Sequence, residues 1–221
     1  MKVDLLHITP EPYKTVYAAA RVCYTKKTVQ EILDTEANDL ARVIKTVISL
    51  YKSGHLSPFE HVTATFVIDG VSRSLSHQLV RHRIASYNQK SQRYVMENEF
   101  KYVIPDSIKN NPKALEIYHR VMSVLKLSYN DLINEGIPAE DARYILPNAT
   151  ETQLIMTMNL RQLIHLITQR SCNRAQKEFR DLVSQIKQIL MKFMPELMVL
   201  VDKPCISKGK CPEGKFSCKI S

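Results

Sequence analysis

The stretch from Arg81 to Tyr94 reads RHRIASYNQKSQRY. It holds three arginines, a lysine, a histidine, two serines, an asparagine and two glutamines in fourteen residues, without one carboxylate. Side chains of these types bind anions: guanidinium forks take phosphate oxygens two at a time, and hydroxyls and amides complete the shell with neutral donors. A solvated helix end would ordinarily alternate charge sign through pairs four residues apart, and this stretch has no acidic partner to offer. A basic loop with Tyr87 and Tyr94 interleaved also suits a single-stranded nucleic acid, whose binding would show steep salt dependence. A phosphatase built on a nucleophilic histidine needs an RHG context, whereas His82 is followed by Arg83. Against the polymer stand Arg143, Arg161 and Arg170, distant in sequence and each in an apolar context suited to a buried small-molecule site.

The charge distribution sharpens that reading. The 221 residues carry 31 Lys+Arg against 22 Asp+Glu, a net charge of +9. Residues 71–96 hold five basic and no acidic side chains, residues 203–221 hold five and one, and together they account for the whole excess. Only five glycines occur, none spaced as GxGxxG or GxxxxGKS, so neither a dinucleotide fingerprint nor a P-loop exists and side chains must bind any phosphate. The first residues lack an apolar signal core and no apolar run approaches ~20 residues. Five cysteines, an odd number, suit reduced thiols, and a cytoplasmic location is expected. Cys205, Cys211 and Cys218 lack the paired short spacing of a zinc ribbon, and His55 with His61 has no supporting ligand, so no metal site is expected. We expect a domain over 1–202 and a mobile basic tail over 203–221, with Lys208, Lys210, Lys215 and Lys219 between the cysteines.

The elements that position these residues follow from periodicity. Residues 2–8 read as a strand, and Pro12 suits the first turn of a helix to about Tyr24. Asp34 can cap a second helix through Lys52, which Gly54 ends. Val62, Ala64, Phe66 and Ile68 alternate as one face of a strand over 62–69, and Val71 to Arg83 reads as a short basic helix. Apolar positions from Ile108 through Leu115, Tyr118, Met122, Leu125 and Tyr129 to Leu132 recur at spacings of three, four and seven, predicting one long amphipathic helix between Pro105 and Gly136. A strand over 150–158 precedes two helices, the second apolar at Phe179, Leu182, Ile186, Ile189 and Phe193. The class is α+β (mixed α/β), helix-rich, with a small, mainly antiparallel sheet.

Arg81-His82-Arg83, seven residues and then Ser91 resembles the RHR-x7-S signature of the flavin-dependent thymidylate synthases. Gly54-His55-Leu56-Ser57-Pro58-Phe59-Glu60-His61 is similar to the family's GHxSPFEH segment. Ala142-Arg143-Tyr144-Ile145-Leu146-Pro147 resembles its ARxxLP turn, Asn159-Leu160-Arg161-Gln162-Leu163 its N-x-R-x-L helix start, and Arg170 with Arg174-Ala175-Gln176 its last block. The resemblance implies a homotetramer with active sites shared between subunits, FAD as cofactor, and dUMP, NADPH and methylenetetrahydrofolate as substrates, without nucleic acid or membrane. It places His55, Ser57, Arg81, His82, Arg83, Gln89, Asn159, Arg161 and His165 against FAD. It places Gln78, Arg81, Gln89, Lys90, Ser91, Gln92, Arg93, Arg143 and Arg170 against dUMP, with Ser91 and Arg93 at the phosphate. Arg170 is the catalytic candidate, a cation beside the pyrimidine that stabilises negative charge on the ring. Ser91 as a nucleophile is the sharper alternative, but no general base is evident beside it. Some relatives carry Glu where Gln89 stands, His at Arg174, Trp at Lys177 and Ser at Cys23, and Gln89 cannot act as a carboxylate base.

Overall fold

In a computed structural model, which describes residues 1–207 and 209–218, apolar alternation builds the centre of the fold. In chain order the elements are β1 (Lys2–Ile8), α1 (Pro12–Arg21), α2 (Val29–Thr35), α3 (Leu40–Ser53), β2 (Thr63–Ser72), α4 (Arg73–Leu79), β3 (Ser86–Gln89), α5 (Asp106–Lys109) and α6 (Pro112–Asn134). There follow α7 (Ala139–Ala142), β4 (Glu151–Asn159), α8 (Leu160–Arg170), α9 (Lys177–Leu190), α10 (Pro195–Met198) and α11 (Pro204–Ser207). The strands form one antiparallel sheet in the order β1-β2-β4-β3. Ala64, Phe66 and Ile68 on β2 and Leu154, Met156 and Met158 on β4 are fully buried, the period-2 pattern of a half-buried strand. Gly70 breaks that pattern because its φ is +66° and a Cβ there would meet the Met1 backbone nitrogen at 3.3 Å.

The chain forms two compact units. One comprises Met1–Lys2, Val67–Arg81 and Tyr87–Ile155; the other comprises Val3–Phe66, His82–Ser86 and Met156–Ser221. In the first, α6 packs on α5 and α7 and buries Met122 and Tyr129, while the Tyr129 hydroxyl accepts from the Glu97 amide at 3.2 Å. In the second, α1 packs on α3 and on the 3-10 turn Ser57–His61, α8 packs on that same turn and on α9, and α10 packs on α3 and α9.

Several local expectations are corrected. Asp34 lies inside α2, whose cap is Thr28 in a reciprocal box with Glu31; Asp39 caps α3 by accepting from the Arg42 amide at 3.0 Å. Gly54 does end α3, at φ +78°. The long helix is interrupted, because Asn111 caps a new start at Pro112 and separates α5 from α6. Val71 and Ser72 belong to β2, so the helix expected over 71–83 shrinks to Arg73–Leu79, and Ser86–Gln89 is a strand where a polar loop was expected. The tail is not wholly free chain: residues 204–207 and 214–216 form helical turns, and Arg174 holds Glu213 and the Phe216 carbonyl. Lys208 and Lys219 lie outside the described residues. Among the described residues no helix is long and apolar enough to cross a membrane, and no three His, Cys, Asp or Glu side chains gather as a metal site.

One buried carboxylate ties the N-terminal helices together. Glu36 accepts from the Tyr17 hydroxyl at 3.0 Å and Arg21 Nε at 3.0 Å, pairs with Lys27 Nζ at 3.0 Å, and has Arg42 at 3.8 Å. Lys27 first, then Arg21 and Tyr17, hold its carboxyl down to about 2 from 4.5. A carboxylate depressed in the folded state contributes stability above its unfolded value and loses it as pH falls toward the folded one. Glu36→Gln is therefore expected to lower the melting temperature by about 5 °C at neutral pH, with the difference from the parent closing as calorimetry approaches pH 2. A constant difference from pH 7 to pH 2 would contradict this.

Candidate active site

β4 delivers its last residue, Asn159, as the cap of α8: the Asn159 side chain accepts from the Gln162 amide at 2.9 Å, and Leu160 N donates to Val62 O at 2.7 Å. Leu160, Leu163, Ile164, Leu166 and Ile167 go into the core, which leaves Arg161 and His165, four residues apart, on the outer face of α8. These two and Asn159 line a cavity of about 990 Å³, together with Glu60, Lys52 and Asp202. Ile84, Val199 and Ile206 line the same cavity although 66%, 65% and 61% exposed, so apolar surface there awaits cover. Arg161 Nη1 pairs with Glu60 Oε1, so this arginine is an exposed, partnered cation and not the buried one its apolar neighbours suggested. Pro58 and Phe59 of the preceding turn are buried, while His55 and Ser57 are exposed and lie outside the cavity lining.

The same unit holds His82, Arg83 and Arg170. The RHR triplet does not present three parallel donors: Arg81 and Arg83 are exposed and His82 is buried. His82 Nε2 accepts from Arg170 Nε at 3.1 Å, and its ring meets His165 and Phe179 edge-on at 6.2 and 6.1 Å. The Arg170 guanidinium lies over the Phe179 ring, 4.6 Å from its centre. Burial first, then the Arg170 cation and the neighbouring His165, push His82 down to about 4. A neutral imidazole with Nε2 accepting carries its proton on Nδ1, so His82 orients Arg170 and contributes no charge of its own.

The other unit gathers the second set. β3 pairs with β4, and just past β3 the Lys90 amide donates to the Gln153 carbonyl at 2.9 Å. Gln89 faces inward, its amide donating to Ser76 Oγ at 2.9 Å and Thr152 Oγ1 at 3.2 Å. Lys90 Nζ pairs with the buried Glu97 at 2.8 Å. Past the strand the chain turns, with Ser91 Oγ accepting from Arg93 N at 3.2 Å. Glu140 then joins two arginines that sequence separates by fifty positions: its carboxylate takes Arg93 Nε and Nη2 at 2.9 and 2.8 Å, and its carbonyl takes Arg143 Nε at 3.0 Å. Gln78 donates to the Ser74 carbonyl at 3.3 Å.

Two buried nitrogens here have no partner, Gln92 Nε2 and Arg73 Nε. A buried donor left without an acceptor costs about 1–3 kcal/mol, so each of these nitrogens would gain from an acceptor. Arg73 was not singled out from the sequence. Its Nη2 donates to the Lys90 carbonyl at 2.8 Å, and burial first lowers its proton affinity, with Arg143 adding to that and Glu97 opposing it. Its signal was legible, since it is one of the five cations of the carboxylate-free segment.

Comparison with known proteins agrees along nearly the whole chain. A family profile described as "Thymidylate synthase complementing protein" matches residues 4–196. A protein of Geobacter sulfurreducens named flavin-dependent thymidylate synthase is 42% identical over 221 residues, covering 99% of this chain and 94% of that protein. One of the same name from Clostridium tetani is 43% identical over 239 residues, covering 99% and 93%. Among solved structures, a thymidylate synthase X from Helicobacter pylori, crystallised with FAD and dUMP, superposes with a TM-score of 0.73 at 25% identity, covering 90% of this chain and 99% of that one.

Proposed function

The chain belongs to the flavin-dependent thymidylate synthases and makes dTMP from dUMP with FAD as its cofactor, and on that premise we propose that methylenetetrahydrofolate supplies the carbon and NADPH the reducing equivalents. The observation that carries the activity is identity above 40% over 99% of the chain to proteins of that name. FAD fits the residues present. The cavity on α8 combines cationic and amide donors for a pyrophosphate with exposed apolar side chains for a ring system, in the volume range of small-molecule sites. Bound and reduced, the flavin supplies the hydride that completes the methyl group.

In this reading Asn159, Arg161 and His165 hold FAD, supported by their place on the cavity wall, with His55, Ser57, Arg81, His82, Arg83 and Gln89 completing the set. Ser91, Arg93 and Arg143 take the dUMP phosphate, supported by the meeting of the two arginines on Glu140, whose carboxylate a phosphate would displace from Arg93; Lys90 and Arg73 add charge. Gln78, Gln89 and Gln92 serve ribose and base, supported by the orphaned Gln92 amide. Arg170, held by His82, sits at the pyrimidine and stabilises negative charge on the ring as the C5 carbon attacks the methylene donor and later loses its proton.

The cytoplasmic homotetramer belongs to the same proposal. Ile117, Val121 and Val124 lie at spacings of four and three on α6 with Leu127 beside them, and all four are between 44% and 64% exposed. A stripe of this kind is what a subunit interface would bury. One preparation tests the reading: purified protein with FAD should be yellow, convert dUMP to dTMP with NADPH and methylenetetrahydrofolate, and sediment as a tetramer. Absence of turnover at saturating FAD would refute the activity, and a monomeric active enzyme would refute the assembly.

A further inference from the structure

The last part of the chain touches the α8 cavity and the loop after Arg170 at once, and the two contacts have a common logic. The loop 171–176 is stiffened from below, where Arg180 Nη1 donates to the carbonyls of Asn173 and Ala175 at 2.8 and 2.5 Å. It also fastens the C-terminal segment through Asn173 and Arg174. Asn173 Oδ1 accepts from Lys203 Nζ at 3.2 Å. Arg174 Nη1 donates to Glu213 Oε2 at 3.1 Å and to the Phe216 carbonyl at 2.8 Å, with its guanidinium 5.3 Å from the centre of the Phe216 ring. Between the two fasteners lies α11, which contributes Ile206 and Ser207 to the cavity wall.

We propose that residues 203–207 and 209–216 act as a strap that holds Ile206 and Ser207 against the flavin cavity, and that Arg174 is the positioning residue that buckles it and so sets how long FAD remains bound. The inference rests on the assignment of that cavity to FAD. The wall residue Ile206 is 61% exposed and has little core of its own to hold it, so its position depends on the fasteners. Arg174 acts through the turn Gly214–Phe216, whose last carbonyl it holds.

The test uses full-length protein loaded with FAD and follows flavin release by the recovery of its fluorescence after dilution. Glu213→Arg and Arg174→Glu each replace an attraction with a repulsion and are expected to speed release about 10-fold, which is what loss of one exposed ion pair and one carbonyl bond allows. The double exchange restores the ion pair with its polarity reversed and should return the rate to within about 3-fold of the parent. Trypsin cleavage after Lys210 and Lys215 should accelerate in the single variants and recover in the double one. Release within twofold of the parent in both single variants would overturn the strap while leaving the cavity assignment intact. A parent that binds no FAD would overturn the cavity assignment and the strap with it.

Discussion

Arg170→Ala is expected to cut dTMP formation by about 10²–10³-fold, the usual loss when a preorganised donor to developing charge is removed, while FAD absorbance and fold are retained. The geometry supplies the reason. Arg170 is not a flexible surface cation; it is held between the His82 imidazole at 3.1 Å and the Phe179 face at 4.6 Å. A guanidinium fixed in this way need not reorganise when charge develops on a pyrimidine bound beside it, the place we propose for dUMP. Arg170→Lys restores charge but neither the planar fork nor the stacking, so it should recover only part of the rate.

A spectroscopic readout separates this from simple structural damage. His82 is held down to about 4 by burial first and then by Arg170 and His165, so removing Arg170 should raise its titration midpoint while burial still holds it below the ordinary imidazole value, visible by imidazole NMR. In the window from about pH 4 to 6.5 the unfolded chain binds a proton that the folded chain refuses. Stability therefore rises with pH through that window, and it should rise less in Arg170→Ala. A variant with turnover within tenfold of the parent would remove Arg170 from the chemistry.

How much was legible in advance varied with the physics behind each element. β2 and β4 were readable because Val62, Ala64, Phe66 and Ile68, then Leu154, Met156 and Met158, answer to a core that every second residue must enter. Gly54 was readable because only a residue tolerant of positive φ ends a helix there. The choice between Asp34 and Asp39 as cap was not, since both precede apolar positions and the deciding factor is where Glu36 must sit to meet Tyr17, Arg21 and Lys27. β3 was hidden because Ser86–Gln89 is polar and half exposed, and its strand character comes from pairing with β4. Of the site, residue types and charge were legible, but partners were not. Nothing in the sequence says that Arg161 meets Glu60, that Glu140 joins Arg93 to Arg143, or that His82 turns inward between two exposed arginines.

That unforeseen role of Glu140 sharpens the last expectation. Arg93→Ala should raise the KM for dUMP about 100-fold, the loss of two charge-assisted bonds to a phosphate, with FAD binding unchanged. In this structure the Arg93 fork is spent on one oxygen of Glu140, a half-exposed pair that contributes little to stability. A phosphate must therefore compete with Glu140 for the same nitrogens. Glu140→Gln removes the competing charge and some like-sign repulsion, so dUMP should bind as tightly as in the parent or more so. If Arg93 is the phosphate ligand, then, Arg93→Ala weakens dUMP binding while Glu140→Gln does not. If Glu140 instead held Arg93 in its binding pose, both would weaken dUMP together, and titration of the flavin spectrum with dUMP distinguishes the two results. Equal loss of FAD and dUMP in Arg93→Ala would refute the phosphate assignment outright.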